Sequence, residues 1–446
     1  MHADPHSANP RPLRARKAGA LKGLFEVPGD KSISQRALIL GALAAGETPI
    51  SGLLESEDVL STAGALRALG ADISRQADGR WRVVGARWTS PAAPLDFGNS
   101  GTGSRLVMGA VAGLPITATF TGDASLRSRP MARVVDPLTQ VGATYEGQGP
   151  KALMPLTLHG AREANAIDVQ VTVASAQVKS ALLLAALYAD GVSRIGQAQL
   201  TRDHTEKMLA AFGAKIAVDP SEQGESITLV GKTGLKGIAV EVPRDPSSAA
   251  FALVAALIVP GSEISLPAIL LNPRRIGLIE TLLEMGADIA VTGRRVSSGE
   301  EIGDLIVRHS RLTGVVVPAA RAPSMIDEYP ILSVAAAFAE GRTVMMGLEE
   351  LRVKESDRLA AILAGLAANG VEAHESENNL TVQGMRKVPG GGTVATHMDH
   401  RIAMAFLTMG MASDKPITVD DVAMIATSFP DYEAKMRALG AELVAP

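Results

Sequence analysis

The sequence predicts an α/β fold built from six copies of one unit, three in each of two domains. Three observations carry that expectation. A pattern of helix end, glycine and strand recurs six times, a second series of more apolar helices interleaves with it, and the chain is 446 residues long. A chain of that length exceeds what one hydrophobic core usually holds, so two domains are the default.

The first series reads LRALGADI (Gly70), LTQVGATY (Gly142), LAAFGAKI (Gly213), LLEMGADI (Gly286), LAANGVEA (Gly370) and MRALGAEL (Gly440), spaced 70 to 84 residues apart. Glycine just past a helix end supplies the left-handed cap that other residues resist, so each segment predicts helix, cap and strand. The second series runs 32–46, 102–113, 176–191, 247–261, 325–341 and 400 to about 413, apolar on all sides and mostly closing on glycine. Each unit therefore pairs one polar-faced helix with one buried helix. Short alternating segments such as Trp81 to Val84 and Leu305 to Val307 read as the strands between them. Units without a complete core must pack on one another. Threefold packing in each half would bury the apolar helices; a linear solenoid is the alternative, though units of this length with both sheet and helix rarely stack that way.

Composition narrows the partners. The 43 Lys+Arg against 47 Asp+Glu give a net charge of −4, so nothing draws the whole molecule to nucleic acid or to an anionic membrane. Cysteine is absent, which removes disulfides, thiolate metal sites and a cysteine nucleophile together. The eight histidines are scattered, and His397 and His400, at helical spacing, have no third ligand nearby, so no metal and no cofactor is expected. The longest apolar run, 249–259, stops at Pro260 and is too short to span a bilayer. Residues 1–20 carry prolines and a basic stretch from Arg11 to Lys17 but no signal-peptide core, and read as a disordered tail on a cytoplasmic protein.

Chemistry concentrates where the buried helices begin. In order the starts read Gly29-Asp30-Lys31-Ser32 with Arg36, Asn99-Ser100-Gly101-Thr102 with Arg105, Ser175-Ala176-Gln177 with Lys179, Asp245-Pro246-Ser247-Ser248, Ser324 to Glu328 with Asp327, and Asp399-His400-Arg401. Ser, Asn and Asp are ordinary N-caps. Lys and Arg are not explained by capping, because a cation in the first turn faces the positive end of the helix dipole at a cost of a few tenths to about 1 kcal/mol. A bound anion, held by backbone N–H groups and the cations together, would offset that cost; solvated surface cations are the bland alternative for any single one. The polar-faced helices begin alike, with Arg127 and Arg129 before Pro130, Arg202-Asp203-His204, Asn272-Pro273-Arg274-Arg275, and Lys354-Glu355-Ser356-Asp357-Arg358. Lys354 and Arg358 lie one turn apart on one face, and Glu355 beside them is either an ionised partner or, if partly desolvated, a proton carrier. The stretch from Gly98 to Gly103 has the look of a phosphate loop but fits neither GxGxxG nor P-loop spacing.

Taken in order, PGDKSISQR, FGNSGTGSR, ASLRSRPM, ASAQVKS, DEYPILSVAAAFAEG, VKESDR, DHRIAMAF and ATSFPDY resemble the 5-enolpyruvylshikimate-3-phosphate (EPSP) synthases along nearly the whole chain after the tail. VKESDR, ATHMDHR and ATSFP are similar to the bacterial branch called class II. The resemblance implies a two-domain inverse α/β barrel, each domain made of three βαβαββ units, closing over its substrates at a hinge crossed twice. One domain would span 29–243 and the other 244–446 together with residues 21–28. The implied reaction moves the enolpyruvyl group of phosphoenolpyruvate to the 5-hydroxyl of shikimate 3-phosphate and releases phosphate, in a monomeric cytoplasmic enzyme.

Carried over position by position, the resemblance implies that Lys31, Ser32, Arg36, Ser175, Ala176, Gln177, Arg202, Asp327 and Lys354 hold shikimate 3-phosphate. Lys31, Gly101, Arg129, Gln177, Arg358 and Arg401 would hold phosphoenolpyruvate, where bidentate guanidinium contacts suit both carboxylate and phosphate. Asp327 would take the proton of the attacking hydroxyl, and Glu355 would protonate the methylene carbon and later remove a proton as phosphate leaves; with Lys31 these form the catalytic set. A ketal intermediate needs positioning and charge stabilisation rather than a metal or redox group. Arg274, Arg275 and Lys179 then read as structural. Thr427 stands where relatives outside this branch have a lysine, and Ala176 where the other branch has a second serine. Gly101 leaves open the room that an alanine takes from the inhibitor glyphosate in some relatives. The alternatives are a UDP-N-acetylglucosamine enolpyruvyl transferase on the same six-unit fold, many of whose members use a cysteine acid, and a non-catalytic binding protein for phosphorylated metabolites.

Overall fold

The computed structural model describes residues 10–221 and 224–446. They form two units. The first comprises Gly29–Val242 with Ser297–Glu300, and the second comprises the residues up to Pro28, Pro243–Val296 and Glu301–Pro446. Among the described residues there are six four-stranded sheets, three in each unit.

One copy shows the plan. Leu95–Asp96 leads into the helix Gly101–Ala112, then to Thr117–Thr121, through two short helices to Thr144–Gln148, and back along Leu153–His159. Leu95–Asp96 pairs parallel to Thr117–Thr121, which pairs antiparallel to Leu153–His159, which in turn pairs antiparallel to Thr144–Gln148. This is a βαβαββ unit. Three copies borrow a strand from elsewhere in the chain. Val240–Glu241 runs parallel to Glu47–Ser51, Lys22–Leu24 runs parallel to Glu263–Leu270, and Leu13–Arg16 lies between Ile417–Val419 and Glu442–Val444.

The last pairing corrects the expectation of a tail over residues 1–20. Leu13 and Ala15 alternate with Arg14 and Arg16, so one face of the strand is buried while the arginines face outward. Four residues are too few for the alternation to stand out in sequence, and the strand is held because it pairs on both sides, joining Ile417–Val419 to Glu442–Val444. Residues 1–9 lie outside the described residues.

All six glycines that close the polar-faced helices have positive φ, from +77° at Gly370 to +115° at Gly70. The apolar helices occupy the interior. Every residue of Pro246–Ile258 is buried, as are residues 33–42 of the helix Lys31–Leu43 and all of His400–Gly410. Close approach depends on small residues. A Cβ at Gly109 would stand 2.3 Å from the Ala181 carbonyl oxygen, so this glycine lets the helices Gly101–Ala112 and Ala176–Ala186 touch backbone to backbone. Among the described residues no helix is long and apolar enough to cross a membrane.

Candidate active site

In the first unit the starts of three buried helices are tied into a closed ring. Asp30, Ser100 and Ser175 cap them, accepting from the backbone N–H of Ile33 (2.8 Å), Gly103 (3.2 Å) and Val178 (3.4 Å). Gln35 Nε2 donates to Ser100 Oγ at 2.9 Å, joining the first start to the second. Gln177 joins the second to the third, donating to Thr102 Oγ1 at 2.9 Å and accepting from Arg105 Nη1 at 2.7 Å. Arg36 closes the ring by donating to Ser180 Oγ at 2.9 Å, while its Nε donates to Thr205 Oγ1 at 2.7 Å and its Nη1 to the Ser32 carbonyl at 3.0 Å. Three helix N-termini are therefore linked as neighbours, each bringing orphan N–H groups and the positive end of its dipole.

The cations of this ring sit beside it. Lys31, the first residue of its helix, pairs with Asp58 at 3.2 Å in a half-buried position. Arg129 is 7% exposed and its Nη2 donates to Asn99 Oδ1 at 2.6 Å and Ser125 Oγ at 3.1 Å; Asn99 is itself held by Asp123. A Cβ on Gly101 would lie 2.9 Å from Arg129 Nη1 and 3.4 Å from Arg105 Nη1, so these two guanidinium groups flank the bare start of the Gly101 helix. Ser32 and Ala176 follow their caps in the first turns, and Arg202 lies two residues before the helix His204–Ala211.

In the second unit the organising group is Arg358, whose side chain is fully buried. Its Nε donates to Asp399 Oδ2 at 2.8 Å, its Nη1 to Asp327 Oδ1 at 3.1 Å and its Nη2 to Glu355 Oε2 at 2.5 Å. Burial alone would weaken the charge of Arg358, but the carboxylates of Asp399, Glu355 and Asp327 outweigh it and push the guanidinium further above its ordinary range. One arginine thus holds both expected proton carriers side by side. Arg401 Nε stands 4.0 Å from Asp327 Oδ1, and Asp399 also caps the His400 helix by accepting from Arg401 N at 2.9 Å. Lys354 and Glu355 lie in the turn just before the helix Arg358–Ala368, whose cap is Asp357.

Other sequence candidates are engaged in packing. Lys179, fully buried, pairs with Glu206 at 2.5 Å, and Arg275 pairs with Asp245 at 3.1 Å. Thr427 donates its hydroxyl to the Met424 carbonyl at 2.7 Å. Sequence reasoning missed Asp58, the partner of Lys31, and gave Asp399 no role beyond a helix start, although a buried arginine demands carboxylates. It took Asp203 and His204 only as a helix start and did not bring them together with Glu300, although the ligand atoms of the three lie within 4.8 Å of one another. Lys207 Nζ, 3.0 Å from Glu300 and 3.5 Å from Asp203, already places a cation between those two carboxylates.

Comparison with known proteins agrees with this architecture. The family model described as EPSP synthase (3-phosphoshikimate 1-carboxyvinyltransferase) matches residues 15–436. A 3-phosphoshikimate 1-carboxyvinyltransferase of Methylorubrum populi is 58% identical over 445 residues, covering 98% of each chain. One of Rhodopseudomonas palustris is 60% identical over 440 residues, covering 98% of this chain and 99% of its own. The solved EPSP synthase of Acinetobacter baumannii superposes with a TM-score of 0.85 at 40% identity, covering 98% of this chain and all of its own. The enolpyruvyl transferase NikO of Streptomyces tendae, at 17% identity and a TM-score of 0.75, shares the fold. With six βαβαββ sheets, linked helix starts and an arginine-held carboxylate pair already in place, the chain belongs to the EPSP synthase family, whose members are 3-phosphoshikimate 1-carboxyvinyltransferases.

Proposed function

We propose that the protein transfers the enolpyruvyl group of phosphoenolpyruvate to the 5-hydroxyl of shikimate 3-phosphate, with the residues named from the sequence in the roles given there. Lys31, Ser32, Arg36, Ser175, Ala176, Gln177 and Arg202, with Asp327 and Lys354, bind shikimate 3-phosphate. Lys31, Gly101, Arg129, Gln177, Arg358 and Arg401 bind phosphoenolpyruvate. Both substrates are polyanions, and helix N-termini flanked by guanidinium groups suit them.

The observation that carries the reading is the Arg358 cluster, which keeps Asp327 and Glu355 on one guanidinium. Asp327 accepts the hydroxyl proton as the oxygen attacks C2 of phosphoenolpyruvate, and Glu355, which must take up a proton as the polyanionic substrates bind, delivers that proton to C3. The tetrahedral ketal then collapses. Glu355 recovers a proton from C3, phosphate leaves with the proton held by Asp327, and both carboxyl groups return to their starting states. Such general acid–base steps contribute about 10²–10⁴-fold each.

Gly101 places no side-chain atom beside Arg129 and Arg105, so the steric block that an alanine there sets against glyphosate is not expected in the native protein. The protein acts as a cytoplasmic monomer in this reading. The UDP-sugar transferase and the non-catalytic binding protein are not favoured, because the matching relatives carry the other enzyme's name and both carboxylates are present. The test is turnover of shikimate 3-phosphate with phosphoenolpyruvate by the native protein and by Glu355→Gln and Asp327→Asn. Loss of turnover in both variants supports the roles, and unchanged turnover in both overturns them.

A further inference from the structure

In the first unit the opening turn of the helix His204–Ala211 is fastened to the Ala176 helix by consecutive polar rungs. Thr205 Oγ1 lies 2.7 Å from Ser180 Oγ, and the next residue, Glu206, lies 2.5 Å from Lys179 Nζ. All four are nearly or fully buried, at 1% for Thr205, 0% for Ser180, 4% for Glu206 and 0% for Lys179. Arg36, from the first copy, is laid across the hydroxyl rung, its Nε on Thr205 at 2.7 Å and its Nη2 on Ser180 at 2.9 Å.

The two rungs differ in kind. Glu206 sets a carboxylate against the Lys179 ammonium, whereas Thr205 and Ser180 offer hydroxyl oxygens that accept from the Arg36 guanidinium and fix its direction. A guanidinium already held in one orientation loses little freedom when an anion arrives, which is preorganisation. We infer that Thr205, with Ser180 behind it, is a positioning residue that aims Arg36 at shikimate 3-phosphate. This rests on the proposed role of Arg36. The carboxylate-bonded Lys179–Glu206 rung keeps the two helices in register so that the hydroxyl pair stays aligned.

The experiment measures shikimate 3-phosphate affinity by titration calorimetry and steady-state constants for both substrates, with melting temperatures as the fold check. Thr205→Val keeps the side-chain shape and removes the acceptor, and should weaken shikimate 3-phosphate about tenfold, the loss of one oriented bond to a charged group. The KM for phosphoenolpyruvate and kcat should stay within about twofold, and Thr205→Ser should restore affinity. Ser180→Ala gives a second reading of the same rung and should shift affinity in the same direction. Native affinity in both Thr205→Val and Ser180→Ala overturns the inference. So does a loss shared equally by both substrates with a lowered melting temperature, which marks a purely structural role. Arg36→Ala separates the levels: if it weakens shikimate 3-phosphate and the hydroxyl variants do not, only this inference fails. A native protein that does not bind shikimate 3-phosphate would remove the parent reading as well.

Discussion

Adding one methyl group at Gly101 should cost the protein its phosphoenolpyruvate affinity while leaving its fold intact. The new Cβ would lie 2.9 Å from Arg129 Nη1, closer than carbon and nitrogen settle, and 3.4 Å from Arg105 Nη1. The guanidinium end of Arg129 is the part free to yield, and a shift of roughly half an ångström or more strains its 2.6 Å bond to Asn99 and its 3.1 Å bond to Ser125. A misaimed arginine gives up one charge-assisted bond to the substrate, about 1.5–3 kcal/mol. This corresponds to roughly a ten- to hundredfold rise in KM for phosphoenolpyruvate. Alanine is the better helix former by up to about 1 kcal/mol, so the Gly101 helix itself should not suffer. Steady-state kinetics on Gly101→Ala, with glyphosate inhibition measured beside the native protein, provide the assay. The expected result is a raised KM for phosphoenolpyruvate, an unchanged KM for shikimate 3-phosphate and a weaker response to glyphosate. An unchanged phosphoenolpyruvate KM together with unchanged inhibition would refute the placement of Arg129, and full glyphosate resistance of the native protein would refute the open-room argument.

Arg358→Met leaves Asp327, Glu355 and Asp399 crowded around a lost cation; by the usual penalty for breaking a buried pair, stability should fall by about 3–5 kcal/mol, read from urea unfolding. Glu355→Gln should lower kcat by about 10²–10⁴-fold with substrate affinities kept within a few-fold, and an unchanged kcat would exclude the proton-carrier role. At Gly103 an added Cβ would meet Thr62 Oγ1 at 2.0 Å and Ser100 Oγ at 2.7 Å, so Gly103→Ala should destabilise the protein by about 1–3 kcal/mol, in contrast with its neighbour Gly101. Ala15 is fully buried between Ile417 and Leu443, and Ala15→Asp should cost several kcal/mol, roughly the penalty of an unpaired buried carboxylate; a native melting temperature would show that this strand is dispensable.

Local signals made the helices legible. Gly70, Gly142, Gly213, Gly286, Gly370 and Gly440 announce helix ends because the left-handed cap is a property of one residue and its neighbours. Asp30, Ser100 and Asp399 announce helix starts for the same reason. Partners distant in the chain left no such trace. Lys31 was conspicuous at its helix start, but Asp58 lies on the next helix and resembles any first-turn acid. The sequence marks Arg358 as a substrate-binding cation beside Glu355, and its bonds to Asp327 and Asp399 become visible only when the helices of the second unit are packed. Strand exchange was the least legible. Leu13–Arg16 and Val240–Glu241 have no pattern of their own beyond a few alternating residues, and the sheets they complete are assembled from distant segments.

The identity of the acceptor separates this enolpyruvyl transfer from the others on the same fold. Phosphate release measured with phosphoenolpyruvate and either shikimate 3-phosphate or UDP-N-acetylglucosamine tests it most directly. Turnover is expected with shikimate 3-phosphate alone; release only with the UDP-sugar, or with neither acceptor, would overturn the assignment.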